Sequence, residues 1–320
     1  MTPTVTSRRE RWLLVLSFAA IYIIWGSTYL AIRFAVESIP PLVVAGVRHL
    51  TAGSILMVWA WMRGYRPTRA EVKACAVLGF LFFLIGHGSL HWAETRVSSG
   101  LSALLVAAEP ILLALMGLFI AHDTKFTVVN VSGLVLGLAG VALLTTDKAS
   151  LGGSYVGAVV ILLGTVAWSF GMLYSRRAAM PRDPIARSAL PMLLGSFMLL
   201  IAAGISGEFA GVTSSAFTWK ATLGLLYLIV FGSIVAFTAY TWLLERTSPV
   251  FLATHTYVNP IVAVLLGWML ADETVNGRVA LAGAMVVLSV VLVSLPAGKK
   301  VSGSQFSVRS EEREAEPAAD

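Results

Sequence analysis

Charge and cysteine are both scarce in this sequence. Of its 320 residues only 12% are charged and 57% are hydrophobic, with a mean hydropathy of +0.82. That balance excludes an ordinary soluble globular domain. A single cysteine, Cys75, excludes an internal disulfide and any CxxC pair for metal or redox chemistry. No GxxxxGK[ST] loop occurs, so ATP-driven work would need a separate subunit and energy is expected to come from gradients. The net charge of +6 and pI of 9.6 do not imply a nucleic-acid partner, because the basic residues sit in short clusters between apolar runs. The first apolar run follows Arg8, Arg9 and Arg11 as in a signal peptide. It is nevertheless too long for that role and lacks a small-residue cleavage site, so it is expected to be retained.

What is present in abundance is membrane-length hydrophobic sequence. Crossing about 30 Å of hydrocarbon at about 1.5 Å per residue needs about 20 residues. Ten runs qualify: Leu13 to Ile32, Leu42 to Met62, Val72 to Trp92, Gly100 to Ala121, Phe126 to Leu144, Tyr155 to Tyr174, Ser188 to Ser206, Leu223 to Leu244, Phe251 to Ala271 and Val279 to Leu295. Breakers and charges fill the gaps, as at Pro40-Pro41, Gly152-Gly153 and Asp272 to Gly277. Within lipid, backbone polar groups must be satisfied internally, and runs this long and continuously apolar satisfy them as helices. With the amino terminus cytoplasmic, 17 of the 23 Lys and Arg residues fall on the cytoplasmic side and five opposite, with Arg48 inside a helix. This bias predicts ten helices with both termini cytoplasmic.

The chain also resembles itself. An offset of 150 superposes Arg96 on Arg246, Ser98 on Ser248, Pro110-Ile111 on Pro260-Ile261, Gly117 on Gly267 and Thr124 on Thr274. Nearer the start of each half an offset of 143 superposes Trp25 on Trp168 and Arg33 on Arg176. Five spans per half is an odd number, so the second half enters the membrane with opposite orientation. Inverted repeats of this kind build secondary transporters with a midplane site at the repeat interface. The expected architecture is all-α: ten transmembrane helices as two inverted five-helix repeats around a central cavity. Residues 1–12 form a cytoplasmic tail, 13–148 the first repeat, 149–298 the second, and 299–320 a polar, disordered cytoplasmic tail.

Three stretches carry a family likeness: Ile24-Trp25-Gly26-Ser27-Thr28-Tyr29, Pro40-Pro41 followed by Gly46-Val47-Arg48, and Val258-Asn259-Pro260 through Asp272-Glu273-Thr274. Over residues 12 to 296 the chain resembles the EamA family of the drug/metabolite transporter superfamily, and within it the YedA-like and YddG-like bacterial inner-membrane exporters. The resemblance implies a ten-helix basket with a central cavity, placement in the bacterial inner membrane, and export of amino acids, related metabolites or cationic drugs.

Candidate site residues follow from polar and aromatic groups at membrane depth. Glu109 lies mid-run, where an ionisable group costs about 2.5–3.5 kcal/mol unless it meets a cavity or partner. Ser98, Ser102, Leu105 and Glu109 share one helical face at spacings of three, four and seven, predicting a polar stripe directed inward. Pro110 frees a carbonyl beside the acid, and the repeat sets Asn259-Pro260 at the same point of the ninth helix. His87 and His91, four apart, have Glu94 three further on. That spacing permits a metal, but no second histidine cluster completes a site, so a polar lining is the preferred reading and no metal or cofactor is expected. Trp25, Tyr29, Trp168, His255 and Tyr257, with Tyr240 and Trp242, are candidate aromatic walls. Trp12, Trp59, Trp61, Trp92 and Trp219 are assigned to interfacial belts. Arg48 is open to three uses: reaching outward, pairing with Glu94, or holding a substrate carboxylate. A structural Arg48–Glu94 ion pair is preferred, because the position resembles the arginine common in the family's second helix.

The combined expectation is a secondary exporter of amino acids with apolar or aromatic side chains, or related metabolites, working by alternating access. It would function as a monomer in the bilayer with no assigned coupling ion. Efflux of lipophilic cations is the alternative, and a metal-dependent membrane enzyme using His87, His91 and Glu94 a remote one.

Overall fold

The computed structural model describes residues 8–116, 127–145, 155–244, 246–247, 252 and 255–294. The two expected terminal tails therefore lie largely outside the described residues. The fold is all-helical. Six helices are long and apolar enough to cross a membrane and four shorter apolar ones complete a set of ten among the described residues. We label them α1 (Arg8–Val36), α2 (Pro41–Met62), α3 (Arg69–Glu94), α4 (Ser99–Val106 continued as Glu109–Met116), α5 (Val128–Thr145), α6 (Tyr155–Ser175), α7 (Pro184–Ile205), α8 (Trp219–Tyr227, Leu228–Val235 and Ala236–Leu244), α9 (His255–Leu270) and α10 (Gly277–Ser294). The end of the bundle where α1 begins is called proximal and the opposite end distal.

Local sequence explains where the helices start. Thr68 opens α3 with a reciprocal capping box, its backbone N–H donating to Glu71 Oε2 at 2.7 Å while the Glu71 N–H donates to Thr68 Oγ1 at 3.3 Å. Asp183 caps α7 through two bonds of 2.9 Å from the Ile185 and Ala186 N–H groups, ahead of Pro184 at the first helical position. Ser98 and Thr218 cap α4 and α8. The α2 start has prolines but no side-chain cap of its own; Glu208, from a short 3-10 turn after α7, supplies one by accepting the Leu42 and Val43 N–H groups at 2.8 and 3.3 Å.

Packing displays the internal repeat. α1 lies against α9 as α6 lies against α4, α1 against α8 as α6 against α3, and α2 against α8 as α7 against α3. Three further pairs, α2 with α7, α4 with α9 and α5 with α10, join repeat mates directly. The third helix of each half also widens into a π-helical stretch at the same place, Gly79–His87 and Leu228–Val235. Close crossings rely on small residues: a Cβ at Gly195 of α7 would stand 2.7 Å from the Gly79 carbonyl oxygen of α3. Gly137 of α5 likewise meets Ser289 of α10 and Ile111 of α4.

Cross-links at the helix ends agree with ten alternating spans. Arg63 reaches Asp183 at 3.8 Å proximally, while Lys220 and Glu37 pair at 2.8 Å distally. The distal end is closed over. Ala216, from the segment between α7 and α8, packs into a cluster with Ile32, Val36, Ile39 and Val43, and Arg33 Nη1 donates to the Glu94 carbonyl at 2.7 Å. From the turn after α9, Glu273 accepts the Ser99 and Gly100 N–H groups of α4 at 2.7 and 3.0 Å.

Candidate substrate cavity

Beneath this closure lies an interior cavity of about 110 Å³. It is walled by α1, α2, α3, α4, α6, α8 and α9, so both halves contribute. Trp25, Tyr29, His87, Glu109, Trp168, His255, Asn259 and Pro260 all line it, as do Tyr240 and Arg48. Of the expected wall residues, His91 does not. It is fully buried one turn distal to His87, where its Nδ1–H donates to the His87 carbonyl at 2.7 Å. The side chains of α9 at Tyr257 lie outside the described residues, and Trp242 instead packs under Arg246 at 4.4 Å, away from the cavity.

The aromatic walls follow the repeat. Trp25 meets Phe237 edge-on at 6.2 Å, and Trp168 meets His87 edge-on at 5.5 Å. These are equivalent pairs, since Trp25 corresponds to Trp168 and His87 to Phe237 under the two offsets. Trp25 also packs against Tyr240 at 4.9 Å and His255 at 5.3 Å, and its Nε1–H donates to the Gly232 carbonyl at 3.2 Å. Trp168 packs on Phe82 at 4.4 Å. Two fixed indole faces thus bound one space.

Polar groups are distributed unevenly around it. Glu109 is buried at the cavity wall, within electrostatic reach of Tyr29 and Tyr240, and makes no hydrogen bond among the described residues. The expected serine stripe leading to it does not reach the cavity. α4 breaks at Ala107-Ala108, which changes the rotational phase between Ser102 and Glu109, and Ser102 is buried in the bundle with its hydroxyl unpartnered. Pro110 follows within the first turn of the second segment, where its missing N–H leaves no gap in the helix ladder. Asn259 serves packing as well as lining. Three carbonyls, of Tyr22, His255 and Ile21, stand 3.1 to 3.2 Å from one side of its amide, so the NH2 group faces them and ties α9 to α1.

The preferred Arg48–Glu94 ion pair is not formed. Arg48 Nε donates to Ser233 Oγ at 2.8 Å, whereas both carboxylate oxygens of the fully buried Glu94 lack a hydrogen-bond partner. The two groups interact only at longer range, because Arg48 is turned toward α8 and the cavity. Sequence reasoning missed Thr28, His49, Thr165, Ser233 and Phe237 as wall residues. Phe237 was within reach, as the repeat mate of His87; the small hydroxyl residues carry no signal in an apolar run. Among the described residues no three His, Cys, Asp or Glu side chains converge as a metal site would require.

A ten-helix bundle of two symmetric halves enclosing an aromatic and charged cavity defines a membrane transporter rather than an enzyme. The chain belongs to the EamA-like transporter family, whose model matches it twice, over residues 12–146 and 155–295. It is 41% identical over 280 residues to the "Uncharacterized inner membrane transporter YedA" of Escherichia coli (strain K12), covering 86% of this chain and 89% of that one. The "Uncharacterized transporter YoaV" of Bacillus subtilis (strain 168) is 24% identical over 282 residues, 85% of this chain and 93% of that one. A solved structure, titled only "Crystal structure of protein", shares the fold with a TM-score of 0.61 at 19% identity, covering 87% of this chain and 95% of that one.

Proposed function

We propose that this transporter exports amino acids with apolar or aromatic side chains, or closely related small metabolites, across a bacterial inner membrane by alternating access. The observation that carries the reading is the pair of repeat-related indoles, Trp25 and Trp168, on the wall of a cavity that also holds the unbonded carboxylate of Glu109. Planar aromatic faces suit an apolar side chain, and a carboxylate at low dielectric suits an ammonium group. The inner membrane is that of the relative, and the lysine and arginine bias supports a periplasmic distal end with both termini cytoplasmic. Closure by the Glu273, Arg33 and Ala216 contacts makes the cavity one that opens distally only after those contacts part. Residues 13–148 and 149–298 are the moving halves, a single chain suffices to form the cavity, and no coupling ion is assigned.

Proteoliposomes loaded with a panel of proteinogenic amino acids test this. Efflux above that from protein-free liposomes is expected for the aromatic and branched members; none across the whole panel would sink the amino-acid reading. Efflux of lipophilic cations is the second reading, favoured by Glu109 lying unbonded among aromatic rings. Glu109→Gln separates the two: it should abolish cation export and spare part of zwitterion export.

A further inference from the structure

At the distal end of the cavity, hydrogen-bonding nitrogens are buried without partners among the described residues. They are Nη1 of Arg48, both ring nitrogens of His49, and Nδ1 of His87. Arg48 and His49 are 2% and 1% exposed, and all three residues line the cavity. Buried polar groups are almost always bonded, so a cluster that is not calls for a partner from outside the chain. A guanidinium makes that demand strongest, since it stays charged and carries five donors.

The surroundings hold these groups in place without satisfying them. Arg48 is pinned at Nε by Ser233 Oγ at 2.8 Å, which leaves the fork of the guanidinium unengaged by that bond. The neighbouring backbone is Gly232, where an added Cβ would come within 2.9 Å of Arg48 Nη2, so the glycine is what lets the guanidinium approach α8 this closely. His49 and His87 face each other with ring centroids 4.5 Å apart, and His49 is braced by Phe83 at 4.7 Å. Neither nearby acid answers the arginine: Glu94 is buried outside the cavity wall and makes no bond to it, and Glu109 lines the same cavity with no ion pair to Arg48 among the described residues. The first half alone supplies this cluster. Under the offset of 143, Arg48 corresponds to Pro191 and His49 to Met192, so the guanidinium has no counterpart from the second half, and the indoles and Glu109 line the cavity away from it.

We propose that Arg48, flanked by His49 and His87, is the site that takes the carboxylate of the transported solute. This rests on the amino-acid reading of the cavity and sharpens it. The carboxylate seats against the guanidinium, the side chain lies along Trp25 and Trp168, and the ammonium turns to Glu109. Solutes without a carboxylate are then poor substrates however well their apolar part fits, because binding them leaves the buried charge unpaired.

The test is counterflow of labelled phenylalanine in proteoliposomes of the full-length protein, with four unlabelled competitors: phenylalanine, phenylalanine amide, phenylethylamine and 3-phenylpropionate. The amide and the amine are expected to compete at least about tenfold more weakly than the acid, the loss expected when a charge-assisted bond goes unmade. Phenylpropionate should retain measurable competition. Arg48→Gln should raise KM by about tenfold or more with a smaller change in maximal rate, and Arg48→Lys should recover part of the loss. Should Arg48→Gln fail to fold, the competition series on the unmodified protein decides alone. An amide that competes as well as the acid overturns the carboxylate site and leaves the amino-acid reading standing. Exchange of phenylethylamine or a lipophilic cation with no exchange of phenylalanine overturns both.

Discussion

Glu273, in the turn after α9, accepts the backbone N–H of Ser99 at 2.7 Å, and so the second half of the chain caps a helix of the first. The turn is shaped for it. Asp272 adopts a positive φ of 51°, and the Glu273 N–H returns to the Gly267 carbonyl at 3.2 Å, the wrapped ending that aims the following side chain across at α4. Glu273→Gln should therefore cost about 1–2 kcal/mol, the range for weakening a charge-assisted helix cap. A lowered melting temperature of the purified protein in detergent, by tryptophan fluorescence, is the expected reading; an unchanged value would mean the cap adds nothing.

The α3–α7 crossing should not tolerate a methyl group. At Gly195 a Cβ would be 2.7 Å from the Gly79 carbonyl oxygen, and at Gly79 one would be 2.8 Å from the Gly195 nitrogen. Both obstacles are backbone, which cannot rotate away. Gly195→Ala is expected to destabilise by about 1–3 kcal/mol, seen as reduced yield of monodisperse protein and an earlier thermal transition. Gly64→Ala offers a contrast with open space around it, although its φ of 87° strains any side chain there locally.

Removing an indole should alter substrate preference more than fold. Trp168→Ala takes away a face that contacts Phe82 and His87, and Trp25→Phe removes the bond from Nε1 to the Gly232 carbonyl while keeping a ring. For Trp168→Ala we expect KM for phenylalanine to rise several-fold, in line with the about 0.5–1.5 kcal/mol attached to aromatic pairs, while KM for alanine moves little. Equal effects on both solutes would place Trp168 outside the binding surface.

One pH dependence lies at the distal surface. Burial raises the carboxyl pKa of half-buried Glu208, outweighing the lowering by the Leu42 and Val43 N–H bonds. A carboxyl raised in the folded state favours folding while protonated, and that contribution is lost as pH rises from its unfolded value through its folded one. The melting temperature of the native protein relative to Glu208→Gln should therefore decline as pH is raised from about 4 to about 7. A difference that grows over the same range would show the two N–H bonds to dominate.

How far the sequence speaks for itself varies from residue to residue. Trp25, Trp168 and Glu109 are legible as cavity-wall residues because their depth in apolar runs, and the repeat relating the two indoles, set them apart. His91 follows His87 by four residues, yet Leu90 rather than His91 reaches the cavity wall, and which side of α3 faces the cavity at that level is not encoded in spacing. Ser102 was misplaced because the periodicity that linked it to Glu109 assumed an unbroken helix, and α4 breaks between them. Arg48 was matched with the wrong group, since its chemistry offered several partners and only the orientation of α2 against α8 selects Ser233 and the cavity.

Hydropathy alone determined that the chain is a membrane protein of ten helices, because transfer of apolar surface is additive along the sequence and needs no partner to be read. Parity of the spans likewise determined that the halves run in opposite senses. What only the tertiary structure decided is which side chains meet inside. A helix apolar on every side has no face that must point inward, so its rotation is fixed by packing against its neighbours, by glycine crossings such as Gly79 with Gly195, and by the π stretches in α3 and α8 that reset the phase beyond them. Those contacts turn Arg48, His49 and His87 toward one end of the cavity and leave Glu94 behind the wall.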